Sequence, residues 1–216
     1  RFVYWLRGAD RPDLDRCAEE VGALGVRQVA IGARFLSGFC TDASVSVDRL
    51  GRALRLAGVD LFSVHSIFEG GASLGDPEDR TWHDVVSMHG RTLEAAASLG
   101  AHNVVFHAGH THDARTEAVA LRSLETLLPV AERVGVHMAL ENLPPGFLGG
   151  HPHHLEQMLA RFPSPLLGVC LDTGHAGLTG GVGPWLETLG NRVITLHLHD
   201  NHGETDEHLP QLQVVD

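Results

Sequence analysis

The segment VITLHLHDNHGETDEHLP, residues 193–210, gathers His197, His199, His202 and His208 with Asp200, Glu204, Asp206 and Glu207. Imidazole and carboxylate are the side chains that both bind divalent cations and move protons near neutral pH. Spacing sorts them. Asp206 and His208 are two apart, so an extended backbone points both to one side. His199 lies two beyond His197 on the same side of an apolar run, which places it one layer outward as a substrate contact or a hydrogen-bonded residue. His202 and Glu204 fall in a glycine-containing loop and are expected to be solvated. Upstream, His65 in LFSVHS, His107 in NVVFHA, Glu141 in VHMALEN and Asp172 in LLGVCLDT stand near the ends of short apolar runs, as His197 does in VITLHLH. Burying two carboxylates with three imidazoles in one pocket is unfavourable unless a cation or dense hydrogen bonding compensates. A divalent metal is the economical partner. Carboxylate and imidazole without thiolate suit zinc or manganese, with cobalt or iron also admissible.

The elements that must position these residues follow from hydrophobic period. Seven apolar, β-rich runs, at 2–6, 26–33, 61–66, 103–108, 136–142, 166–173 and 193–199, alternate with helical stretches near 12–24, 46–57, 81–99, 114–134, 151–161 and 183–190. Glycine in LGV (24–26), AGV (57–59), LGA (99–101) and VGV (134–136) supplies left-handed helix caps before the next strand. Such alternation means a parallel sheet. Five successive strands each end in a ligand-type residue, and only a closed barrel converges those ends on one pocket. The expected fold is therefore an α/β (β/α)8 TIM barrel, one domain over residues 1–216. QLQVVD (211–216) is too short to supply strand eight.

Composition bounds the function. The chain has 216 residues and a net charge of −11, which opposes a nucleic-acid partner. No apolar run approaches a membrane span and the first residues lack a signal-peptide layout, so a cytoplasmic protein is expected. Cys17, Cys40 and Cys170 are spaced as reduced, buried thiols and are assigned no chemistry. Trp5, Trp82 and Trp185 read as core or rim packing. His83, His89 and His102 read as helix-surface or helix-end residues, and HPHH (151–154) as a solvated helix start. His110 and His112 fall where they could line the mouth.

ALENLP (139–144), CLDTGHA (170–176) and HLHDNHGETDEHLP (197–210), with VHS and VFHAGH upstream, resemble the xylose isomerase-like TIM barrel superfamily. That superfamily holds sugar isomerases and epimerases together with the endonuclease IV group of phosphodiesterases. The resemblance runs from about residue 20 to 210. It implies that Glu141, Asp172 and His197 ligate the main metal, with a fourth ligand, a glutamate, on strand eight. In the endonuclease IV group the matches of His65 and His107 hold a second metal shared with Glu141, and those of His175, Asp206 and His208 a third.

Three functions compete. The first is a metal-dependent isomerase or epimerase of a small sugar, sugar phosphate or related hydroxy-carbonyl compound, working through an enediolate. There Glu141 is the base, His175 orients a substrate oxygen, and His65, His107 and His199 contact the substrate. The second is an endonuclease IV-like multinuclear phosphodiesterase. The third is a noncatalytic barrel that lacks its last strand; an exposed edge there would favour a homo-oligomer.

Overall fold

Runs such as NVVF and HMALE, too short for a helix and rich in apolar residues, become strands because parallel sheets covered by helices bury both faces. The computed structural model describes residues 4–6, 14–32, 47–76 and 81–209. Its strands are β1 (Tyr4–Leu6), β2 (Gln28–Gly32), β3 (Asp60–His65), β4 (Asn103–Phe106), β5 (His137–Glu141), β6 (Leu167–Asp172) and β7 (Val193–His197). They pair in parallel in chain order. The helices are α1 (Leu14–Ala23), α2 (Val47–Ala57), α3 (Trp82–Ser98), α4 (Ala114–Val134), α5 (Pro152–Arg161), α6 (Thr173–Gly177) and α7 (Val182–Leu189). The architecture is α/β, a partial TIM barrel. No strand pairs β7 with β1 among the described residues. Leu196 and Leu198, at the end of β7, are 49% and 47% exposed.

Alternation along the strands separates two apolar layers. Val104, Phe106, Met138, Leu140, Val169 and Leu171 join the large core beneath the helices. Val105, Ala139 and Cys170 form a small cluster of their own, with Ile194 against it. That second face is the barrel interior, and Glu141 and Asp172 lie two residues beyond Ala139 and Cys170 on it. All four expected capping glycines, Gly25, Gly58, Gly100 and Gly135, have positive φ.

Some expectations are corrected. The sixth strand stops at Asp172 rather than 173, because the Asp172 side chain accepts the His175 backbone N–H at 2.8 Å and starts the short helix α6, which periodicity could not show. Cys17 and Cys170 are buried free thiols as expected, while Cys40, FLSGFCTDAS, QLQVVD and the Trp5 side chain lie outside the described residues. Trp185 is buried in the core and the Trp82 N–H donates to Ser123 Oγ. Among the described residues no helix is long and apolar enough to cross a membrane.

His89 is not a surface residue. It shares the buried stripe of α3 with Val85, Val86, Thr92 and Leu93, and it is 1% exposed. Its Nε2 lies 2.8 Å from the Ala72 carbonyl and therefore carries the proton, while Nδ1 accepts from the Ser66 hydroxyl at 2.7 Å. The ring thus braces the segment that follows β3. Burial pushes its pKa down to about 4, against a weaker opposing pull from the Ala72 carbonyl. The unfolded imidazole protonates near pH 6.5 and the folded one near 4, so its stabilisation is complete above 6.5 and is lost as pH falls between those values. The loss reaches on the order of 3 kcal/mol. Denaturant unfolding at several pH values should show His89→Leu less stable at pH 7 by roughly 1–3 kcal/mol, for its stranded partners. Its stability should also fall less than the wild type's between pH 6.5 and 4.5; parallel pH curves would contradict this account.

Candidate active site

Strand pleating places His65, Glu141, Asp172 and His197 as the last residues of β3, β5, β6 and β7, and His107 one residue past β4. Glu141 is 2% exposed and is met on both carboxylate oxygens. Oε2 lies 3.0 Å from His65 Nε2 and 3.3 Å from His107 Nε2. Oε1 lies 3.0 Å from His197 Nδ1 and 3.7 Å from His175 Nδ1. Burial alone would raise the Glu141 pKa, but His197, His107 and His65 outweigh it and hold the carboxyl well below the usual range. Burial lowers His197 less than neighbouring Cys170 and Glu141 raise it, so it sits well above an ordinary histidine. In His107 burial dominates and the pKa is lowered.

Asp172, 1% exposed, is the second node. His199 Nε2 lies 2.8 and 2.9 Å from its two oxygens, and His197 Nδ1 is 3.7 Å away. His199 is thus buried and hydrogen-bonded to Asp172. Its ring fits only because residue 174 is glycine: a Cβ there would fall 2.0 Å from the imidazole. Asn142 clamps the strand ends, accepting the Asp172 N–H at 2.6 Å and donating to the Asp172 carbonyl at 2.9 Å. Neither Gly174 nor Asn142 was singled out from sequence, although both stand inside the motifs CLDTGHA and ALENLP.

The loop after β7 folds back through an antiparallel bridge between Asp200 and Leu209, with hydrogen bonds of 2.8 and 2.7 Å. It carries Asp206 to 3.2 Å from His175 Nε2 and His208 Nε2 to 3.1 Å from Asp206, and the His208 ring stacks on His199 at 4.0 Å. His202 and Glu204 are exposed, with His202 paired to Glu207 at 2.8 Å. The remaining histidines lie elsewhere. His151 caps α5 and His153 is exposed, while the His112 ring packs against that of His154 with centroids 3.7 Å apart and planes tilted by 36°. His83 and His102 are exposed.

Two ring orientations bear on a metal. His65 Nδ1 lies 2.8 Å from the Ser66 carbonyl, and His175 Nδ1 lies 2.8 Å from the Asn142 carbonyl. A carbonyl only accepts, so both Nδ1 atoms carry protons and each Nε2 turns a lone pair toward a carboxylate, Glu141 or Asp206. Two acceptors face to face require a shared proton or a cation between them. A carbonyl that fixes the far ring nitrogen is also the usual support of a metal-binding histidine. Among the described residues, four groups have ligand atoms within 4.8 Å of one another: His65, His107 and Glu141; Glu141, Cys170 and His197; Asp172, His175 and His199; and His199, Asp206 and His208. One cation with bonds of roughly 2.0–2.3 Å spans such a group, so the donor set fits a divalent metal. Cys170, given no chemistry from sequence, belongs to one group, although burial pushes its thiol pKa up to about 11.

Comparison with known proteins follows the same lines. The family model described as "Xylose isomerase-like TIM barrel" matches residues 18–213. The uncharacterized protein MJ1311 of Methanocaldococcus jannaschii is 33% identical over 128 residues, which are 54% of this chain and 44% of that protein. The match therefore spans under half of that relative's length. Among solved structures, a D-tagatose 3-epimerase-like protein aligns with a TM-score of 0.71 at 26% identity, covering 84% of this chain and 70% of its own. D-psicose 3-epimerase from Clostridium cellulolyticum H10, solved with D-tagatose, aligns at a TM-score of 0.73 and 19% identity over 90% of this chain and 69% of its own, a likeness of fold. With its fold, its strand-end residues and a family match over nearly its whole length, the chain belongs to the xylose isomerase-like TIM barrel family.

Proposed function

We propose that the protein is a divalent-metal-dependent isomerase or epimerase of a small sugar, sugar phosphate or related hydroxy-carbonyl compound. The observation that carries this reading is the meeting of imidazole lone pairs with Glu141 and Asp206 at the C-terminal end of the barrel, where this fold does its chemistry. The likeness to a D-tagatose 3-epimerase-like protein supports a ketose as substrate. Glu141, Asp172 and His197 would hold the metal, zinc or manganese before cobalt or iron. When bound, the ion supplies Lewis acidity that eases enolisation next to a carbonyl. Glu141, kept ionised by its imidazoles, accepts the proton from the carbon beside the carbonyl, and the electron pair left behind makes the enediolate. Returning that proton to the neighbouring carbon, with the hydroxyl proton passing to the former carbonyl oxygen, isomerises the sugar; epimerisation needs a second acid on the opposite face, which the family resemblance puts on strand eight. His175, pinned through Nδ1 and the Asp172 cap, orients a substrate oxygen. His65, His107 and His199 line the pocket.

A second reading, an endonuclease IV-like phosphodiesterase, is favoured by one observation. His65 and His107 beside Glu141, and His175 with His208 beside Asp206, stand where a second and a third ion would complete a multinuclear site. The net charge of −11 opposes a nucleic-acid substrate.

Elemental analysis of full-length protein purified without chelators separates the readings. About one tightly held divalent ion per chain is the expected result; two or three would move the assignment to phosphodiester hydrolysis. In the metal-loaded protein, Glu141→Gln should lower ketose turnover by at least roughly 100-fold, since it removes both the base and a ligand charge. Activity within a few-fold of wild type would remove Glu141 from the mechanism. His202→Ala, on the exposed loop, should leave metal content and turnover within about twofold, in keeping with a surface substitution.

A further inference from the structure

Beside the Glu141 cluster stands an aspartate–histidine pair with no role in the chemistry above. Gly109 bridges antiparallel to Leu148, which sets His110 next to Phe147, with ring centroids 5.7 Å apart. From the other side, the segment after β3 docks through Leu74 N–H to the His107 carbonyl at 3.1 Å. Gly75 lies so close that a Cβ would sit 2.6 Å from the Thr116 carbonyl oxygen and 2.8 Å from that of Ala108. The next residue, Asp76, is thereby fixed. Its Oδ2 accepts the His110 backbone N–H and lies 3.0 Å from His110 Nδ1, and its Oδ1 accepts from Thr116 Oγ1 at 3.4 Å. Ser73 Oγ is also 3.0 Å from His110 Nδ1.

This arrangement fixes one face of the imidazole and leaves the other available. The Asp76 carboxylate accepts, so the neutral ring carries its proton on Nδ1 and a lone pair on Nε2. No described residue hydrogen-bonds Nε2, and the side chain is 37% exposed while Asp76 is only 12% exposed. Phe68 stacks on His107 at 4.0 Å and stands 6.2 Å from His110, and the His107 and His110 centroids are also 6.2 Å apart. His110 therefore sits one ring farther from Glu141 than His107, between two phenylalanines. Apolar ring faces with a single oriented acceptor match the carbon chain and a hydroxyl of a sugar.

We propose that His110 is a further substrate-binding residue whose Nε2 accepts a hydrogen bond from the hydroxyl at the end of the ketose remote from the reacting carbons, and that Asp76 is its positioning residue. This inference rests on the sugar reading above.

The test uses full-length, metal-loaded protein with D-tagatose and its 6-deoxy analogue as probes. Imidazole 15N NMR of the wild type should show His110 protonated on Nδ1, with Nε2 shifting when D-tagatose is added. His110→Phe should raise KM for D-tagatose by roughly 2–10-fold, more than it lowers kcat, and His110→Gln, which keeps an acceptor, should recover part of the loss. The 6-deoxy sugar should suffer a similar penalty in the wild type and little further penalty in His110→Phe. D-tagatose that binds and turns over with the His110 resonances unmoved and KM unchanged in His110→Phe would overturn the proposal, leaving the pair as a loop brace. A wild type silent toward D-tagatose and the other 2-ketohexoses would instead remove the sugar reading, and this inference with it.

Discussion

A carboxylate with almost no solvent exposure stays charged inside a barrel only if hydrogen donors or positive charge surround it. Glu141 is met by imidazoles brought by separate parts of the chain, His65 at the end of β3, His107 after β4 and His197 at the end of β7, and they satisfy that condition when the facing nitrogen carries a proton or a cation stands between. No local segment can supply them together. The site therefore depends on the register of the parallel sheet, in which Glu141 pairs with Cys170 and Asp172 with His197. A slip of one residue in any strand would turn its ligand-type residue into the helix layer.

Backbone carbonyls do the second part of the work. Ser66 and Asn142 take the far ring protons of His65 and His175, so the peptide chain decides which nitrogen each imidazole turns to the pocket. Asn142 also ties β5 to β6 by two side-chain hydrogen bonds, and Asp172 caps α6 through the His175 N–H. His175 is thus oriented by groups bonded directly to the residues it serves. Because its two nitrogens reach Asn142 and Asp206, the Glu141 cluster and the loop carrying Asp206 and His208 form one network.

The sequence shows strands and polar strand ends more clearly than it shows what holds them. Strand order, the capping glycines and the convergence of His65, His107, Glu141, Asp172 and His197 all follow from period and position, because pleating and barrel closure are global rules. His89 departs from the surface placement expected of a polar type because its spacing from Val85 and Leu93 puts it on the apolar stripe of α3. Gly174 and Asn142 carry no such signal in the sequence. Their roles are to leave room for the His199 ring and to bridge two strand ends, and both depend on partners more than 24 residues away that only the folded chain identifies. The same holds for Asp76 and His110, joined across 34 residues by loops that no periodicity describes.

The ligand-type residues do not by themselves select between a ketose and a phosphodiester, since the same donors serve both. The surroundings of the pocket bear on the choice. A polyanionic substrate draws its affinity from cationic side chains, and this chain sets 16 basic residues against 27 acidic ones. Among the described residues, Phe68, His107, His110 and Phe147 form a chain of ring contacts beside Glu141, with apolar faces and imidazole nitrogens. Apolar ring faces beside oriented hydrogen-bonding groups are the surroundings that a small polyhydroxylated molecule would use, which is why the proposed sugar reading draws on the segments around residues 68 and 147 as well as on the metal-type residues.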